Sequence, residues 1–158
     1  MTDLFAEVLE DLDDAWMRLV RAPSERLQHR AMREALGHLY SLREYLRESE
    51  GAQNYYRRAA ADPDGVVLEG LALIRGVLVH DLVRPIGPVL GDIVADIVTE
   101  MVGTLVWRTR DEMRPLPVKL TESATNPDRN ARIKAYDDHV AGRAVVDTLN
   151  DARRFLGP

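Results

Sequence analysis

Arg75 and His80 stand five residues apart in an eighteen-residue run, Val66 to Val83 (VVLEGLALIRGVLVHDLV), whose other polar residues are Glu69 and Asp81. An imidazole, with an ordinary pKa of about 6.5, takes or gives a proton at neutral pH. A guanidinium stays charged and can hold a phosphate through two hydrogen bonds. Cleavage of RNA by its own 2′-hydroxyl needs those two roles, a proton acceptor and a charge that stabilises the phosphorane, and it needs no metal. Five residues along a helix turn by roughly 140°, so the two side chains would be neighbours opening on one groove. A helix apolar nearly all round is normally buried, and a buried cation costs several kcal/mol unless it is paired or meets a cleft. The pair therefore asks for a reason other than folding.

Other chemistries lack their residues. There is no Cys, which removes disulfides, thiolate metal sites and cysteine catalysis. No phosphate-cradling GxxxxGK[ST], dinucleotide glycine fingerprint or HExxH occurs, and no Ser sits in a glycine-flanked elbow. Asp92, Asp96 and Glu100 would align along one helix, which does not give the converging geometry a metal requires. No metal and no cofactor are expected.

At 158 residues and 46% hydrophobic content, the chain suits one domain over 1–158 with a sizeable core. Aromatics make up only 6%, so aliphatic and Ala packing must fill that core. The net charge of −5 argues against an obligate nucleic-acid binder, but it is unevenly spread. Residues 1–15 hold six acids and no base, 21–58 hold eight Arg against five Glu, and 108–119 hold four bases against two acids. Local basic faces thus permit a phosphate-bearing partner. The acidic N-terminus without an apolar core suggests a cytoplasmic location, and no run approaches the ~18 charge-free residues of a membrane span.

The positioning elements read as all-α, a bundle of four to five main helices. Residues 3–20 place Phe5, Leu9, Leu12, Trp16 and Leu19 at helical spacing. After Ala22-Pro23-Ser24, with Pro23 in the first turn, a second helix runs to about Glu48 on a stripe of Leu27, Ala31, Ala35, Leu39, Leu42 and Leu46, a strut approaching 40 Å. Residues 49–53 read as a loop and 54–61 as a short helix, whose Tyr55, Tyr56, Arg57 and Arg58 form an amphipathic surface. Asp62-Pro63-Asp64-Gly65 then starts the central helix, which Arg84-Pro85-Ile86-Gly87-Pro88 ends. Residues 92–107 repeat in fours (DIVA, DIVT, EMVG, TLVW), which suits a helix; the alternative makes 104–108 extended. Residues 109–127, with three prolines, read as a long loop of least order. Helical patterns resume over 128–139 and 145–156, punctuated by Gly142.

Arg75-Gly-Val-Leu-Val-His80, in a late and strongly apolar helix, resembles the Arg-x4–6-His motif of the HEPN superfamily of small all-α domains. GHLYSLREYL at 37–46, VWRTRDEM at 106–113 and YDDHVAGRAVVDTL at 136–149 are similar to such proteins too, so the resemblance spans most of 27–156. It implies a metal-independent endoribonuclease, a toxin or phage-defence effector, acting as a homodimer whose motif helices face each other across a cleft. His80 would then be the acid/base and Arg75 the phosphate and transition-state clamp. Arg84, His38, Tyr40 and Arg43 are the candidates to contact substrate, RNA the partner, and an antitoxin or another protein a further one. Family members often carry a polar residue directly after the Arg; here it is Gly76, which weakens a helix by about 1 kcal/mol relative to Ala.

Two other readings compete. Arg75 could be salt-bridged to an acid such as Glu44 with His80 a satisfied core histidine, leaving a catalytically inactive module that dimerises or binds protein or RNA. A third makes the acidic N-terminal helix the docking surface for a basic partner.

Overall fold

The computed structural model describes residues 4–77, 79–86 and 104–157; for Val79 and His80 it covers the backbone only. Helices α1 (Leu4–Arg21), α2 (Glu25–Glu50), α3 (Ala52–Ala61), α4 (Pro63–Leu73), α5 (Val79–Leu82), α6 (Pro127–His139) and α7 (Val145–Leu156) form an all-α bundle beside one small two-stranded sheet, β1 (Val83–Ile86) and β2 (Thr104–Trp107). No described helix is long and apolar enough to cross a membrane.

Helices α1 and α2 pack through Leu12, Ala15 and Leu19 against Ala31, Met32, Ala35 and Leu39, all buried. Ser24 rather than Pro23 starts α2: its hydroxyl accepts from the Leu27 amide, supplying one orphan donor of the first turn. At 26 residues α2 spans about 39 Å. It runs two residues past the expected end, and Gly51 alone, at φ +80°, replaces the expected loop before α3.

Helix α4 is central, as its apolar run requires. Val67, Leu68, Leu71 and Leu73 are buried, each worth about 1.5–3 kcal/mol. Asp62 caps it, accepting from the Asp64 amide at 2.9 Å, and Pro63 occupies its first turn. Gly65 lets α3 cross closely: a Cβ there would lie 2.7 Å from the Ala59 Cα and carbonyl oxygen.

The eighteen-residue rod expected over Val66–Val83 is interrupted. Helix α4 stops at Leu73; the Ile74 amide bonds the Leu71 carbonyl and the Val77 amide bonds the Ile74 carbonyl, a tighter turn than α. Gly76 takes φ +80°, a conformation glycine adopts without penalty and a helix cannot continue through. The chain re-enters helix only for α5, which ends at Leu82 just before the expected stop at Arg84-Pro85, and it is extended from Val83, so Arg84 and Pro85 lie in a strand.

β1 pairs antiparallel with β2, Val83 opposite Trp107 and Ile86 opposite Thr104. The TLVW quartet is therefore strand, the extended alternative for 104–108; the rest of the fourfold repeat up to Gly103, with Asp92, Asp96 and Glu100, lies outside the described residues. Trp107 explains the preference. Its ring is fully buried, its Nε1 donates to Thr148 Oγ1 at 2.7 Å, and its backbone bonds Arg143 and Gly142.

The loop expected to be least ordered is tied down. Thr109 and Glu112 form a capping box on a 3-10 turn at Arg110–Glu112, and Arg110 pairs with Asp137 of α6 at 2.6 Å. A second 3-10 turn, Val118–Leu120, buries Leu120 completely, and Met113 is buried as well.

Candidate functional site: a basic cleft around Arg75

Four cations from three parts of the chain line one cleft of about 410 Å³. Arg75 and Gly76 come from the turn after α4, Lys119 from the second 3-10 turn, and Arg129 and Arg132 from α6; Tyr40 of α2 and Asn126 are part of the wall, and no carboxylate lines it among the described residues. Each cation has a local reason for its place. The Ile74–Gly76 turn swings Arg75 out of the core to an exposed position. Buried Leu120 pins its turn and leaves Lys119 outward, where its Nζ donates to the Arg75 carbonyl. Arg129 and Arg132 are three apart on one helix and share a face.

The Arg75 guanidinium lies over the Tyr40 ring, 3.8 Å from its centroid. Such contacts contribute about 0.5–1 kcal/mol at exposed sites. No described carboxylate pairs with Arg75, and Glu44, the example of a partner acid in the competing reading, is taken by Arg43 and by Arg47 at 2.9 Å. Like charges gathered in one cleft repel, by about 1 kcal/mol per pair at 4 Å even in water, so a group of four with no carboxylate among the described lining residues favours an arriving anion.

The buried charge in the central helix is Glu69, and the cation that meets it is Arg43, not Arg75. Arg43 Nε and Nη2 each donate to Glu69 at 2.7 Å, a bidentate pair, while Nη1 reaches Glu44. Tyr55 donates its hydroxyl to the same carboxylate at 2.8 Å. Burial alone would lower the Arg43 pKa, but the hydrogen bonds and charge of Glu69 outweigh it and hold the group above its usual value. Burial, with the Glu69 charge beside it, pushes the Tyr55 phenol up. Arg43 at 2% exposure is thus a core ion pair and not a substrate contact. Arg132 approaches the outer Glu69 oxygen at 4.0 Å, so the cleft begins where that network ends.

The other expected residues divide. Tyr40 is in the cleft, under Arg75. His38 is half-buried on α2 and does not line it. Arg84 pairs with Glu112 at 2.9 Å, away from the lining residues. His80 sits in α5, beyond the Gly76 turn, and its imidazole lies outside what is described. Arg75 and His80 are therefore not two points on one rigid helix.

Lys119, Arg129 and Arg132 were not singled out by sequence. For Lys119 the signal is the basic excess over 108–119, whose meaning depends on how the loop folds; Arg129 and Arg132 lie beyond that stretch. Comparison with protein-family models, curated proteins and solved structures finds no match to the chain.

Proposed function

We propose that the chain is a metal-independent endoribonuclease of HEPN type, acting at a cleft where two copies meet. The observation that carries the reading is Arg75: an exposed guanidinium with no described carboxylate partner, lying over Tyr40 at a basic cleft whose described lining holds no carboxylate. In this reading His80 removes the 2′-hydroxyl proton, the resulting oxygen attacks the adjacent phosphorus, and Arg75 holds the extra negative charge of the phosphorane. The 5′-oxygen leaves with a proton, giving a 2′,3′-cyclic phosphate and a 5′-hydroxyl. The protein would work in the cytoplasm as a toxin or phage-defence effector, with an antitoxin as a second partner.

The test is cleavage of labelled RNA by purified protein in EDTA, with light scattering for the dimer. Wild type should leave cyclic phosphate ends, and Arg75→Ala and His80→Ala should each lose most of the rate. Equal rates for the variants and wild type reject the assignment.

A second reading, an inactive module that binds RNA or protein, is favoured by the Gly76 turn, since it frees Arg75 from a fixed helical step to His80. It expects binding without cleavage.

A further inference from the structure

We infer that the cleft formed by Arg75, Lys119, Arg129 and Arg132 binds the phosphodiester backbone of single-stranded RNA within one subunit. The inference rests on reading the chain as an RNA-handling domain, but it does not need His80 or a second copy. Three observations carry it.

First, the charge of the described lining is one-signed and only loosely engaged. Lys119 bonds a backbone carbonyl, Arg132 only approaches Glu69 at 4.0 Å, and no ion pair engages the Arg75 or Arg129 guanidinium among the described residues. Elsewhere arginines facing carboxylates are closely paired, as Arg110, Arg143, Arg153 and Arg154 are. Second, the cleft has a stacking plane. The Arg75 guanidinium lies on Tyr40, and such guanidinium planes and aromatic faces are what unstacked bases lie against. An acidic peptide would use the cations and not the plane. Third, the volume of about 410 Å³ falls in the lower range of small-ligand pockets. The start of α6 adds no free donor at Arg129, because the Asn126 side chain already accepts from that amide at 2.9 Å. The side chains do the binding.

The test is fluorescence polarisation of a labelled single-stranded 2′-O-methyl RNA of about ten nucleotides, which lacks the hydroxyl needed for cleavage. Wild type should bind with an affinity that falls with salt. Lys119→Gln/Arg129→Gln should weaken binding about tenfold and flatten the log–log salt dependence by about 1.4, since each single-strand phosphate contact contributes roughly 0.7. Because Lys119 also ties down Arg75, Arg129→Gln alone is the second variant, expected to flatten the slope by about 0.7. Arg129→Lys should keep the slope. Arg26→Gln, about 20 Å along α2 from Tyr40, should leave binding unchanged. Unchanged affinity and slope in both Gln variants overturn the inference. So does displacement of the RNA by polyglutamate or a mononucleotide as readily as by unlabelled RNA at equal charge concentration. Normal RNA cleavage by His80→Ala, with binding lost in the Gln variants, would remove the assignment of His80 and leave the cleft standing.

Discussion

Arg43 of α2 and Glu69 of α4 face each other inside the bundle through two 2.7 Å hydrogen bonds, with Tyr55 closing the same carboxylate from a third side. The pair fixes how the long strut and the central helix sit together. It also explains how the most apolar segment tolerates an acid at position 69.

Removing one partner strands the other. Arg43→Leu should destabilise the protein by about 3–5 kcal/mol, because the Glu69 carboxylate is left buried without its cation. Arg43→Leu/Glu69→Leu should recover most of that loss. Urea unfolding of the three proteins checks it, and a double variant no more stable than Arg43→Leu would show that the pair is not the unit.

Arg75→Ala should behave oppositely. Its guanidinium is exposed and, among the described residues, rests on Tyr40, so stability should fall by about 0.5–1 kcal/mol, while under the nuclease proposal RNA cleavage should drop by orders of magnitude. Thermal unfolding alongside the cleavage assay separates the two; a large stability loss would make Arg75 structural.

Gly76→Ala should cost about 1–2 kcal/mol, the penalty for placing a Cβ at a left-handed position. The added methyl would also meet Lys119 Nζ at 3.3 Å. Were position 76 helical, the same change would stabilise by about 1 kcal/mol, so the sign of the urea-midpoint shift decides between turn and rod.

Trp107→Phe removes the buried bond to Thr148 and leaves space in the core, for an expected loss of about 2–3 kcal/mol. Thr148 keeps its donation to the Val145 carbonyl at 2.9 Å, which holds the loss to that range. Urea unfolding followed by far-UV circular dichroism measures it.

Glu112 gives a pH dependence. The Thr109 amide first, and then the Arg84 charge, hold its carboxyl below the usual range. A lowered folded pKa binds fewer protons than the unfolded chain, so its contribution is present above the ordinary carboxylate pKa and is lost as pH falls through the folded value. Glu112→Gln should therefore flatten the loss of stability between about pH 5 and pH 3, read by denaturant midpoints across that window.

The helices were legible where apolar spacing and caps agreed. Asp62-Pro63 marks the start of α4, and the Leu39/Leu42 stripe marks the buried face of α2. The end of α4 was not legible, because Val77, Val79 and Leu82 continue the apolar pattern past the turn that Gly76 makes. Periodicity reports what is buried; it does not report whether the backbone between is one helix. At Leu105-Val106-Trp107 the fourfold repeat left helix and the extended alternative both open, and the structure takes the second: burial there is met by pairing with β1 rather than by a helix face. Of the site, Arg75 and Tyr40 could be picked out by residue type. Arg43 looked like a ligand contact because nothing local in the sequence pairs it with Glu69, 26 residues on. Lys119 and Arg129 could not be joined to Arg75 without knowing that Leu120 sinks into the core.

The Lys119 ammonium grips the carbonyl of Arg75 from 44 residues away. That single tether makes the reach of Arg75 a property of a distant segment's length. Insertions or deletions between Met113 and Lys119 would shift the placement of Arg75 without touching the turn that carries it, whereas changes of length between Leu120 and Asn126 would be absorbed beyond the anchor. Related chains could thus diverge in what they grasp while their apolar interiors stay alike.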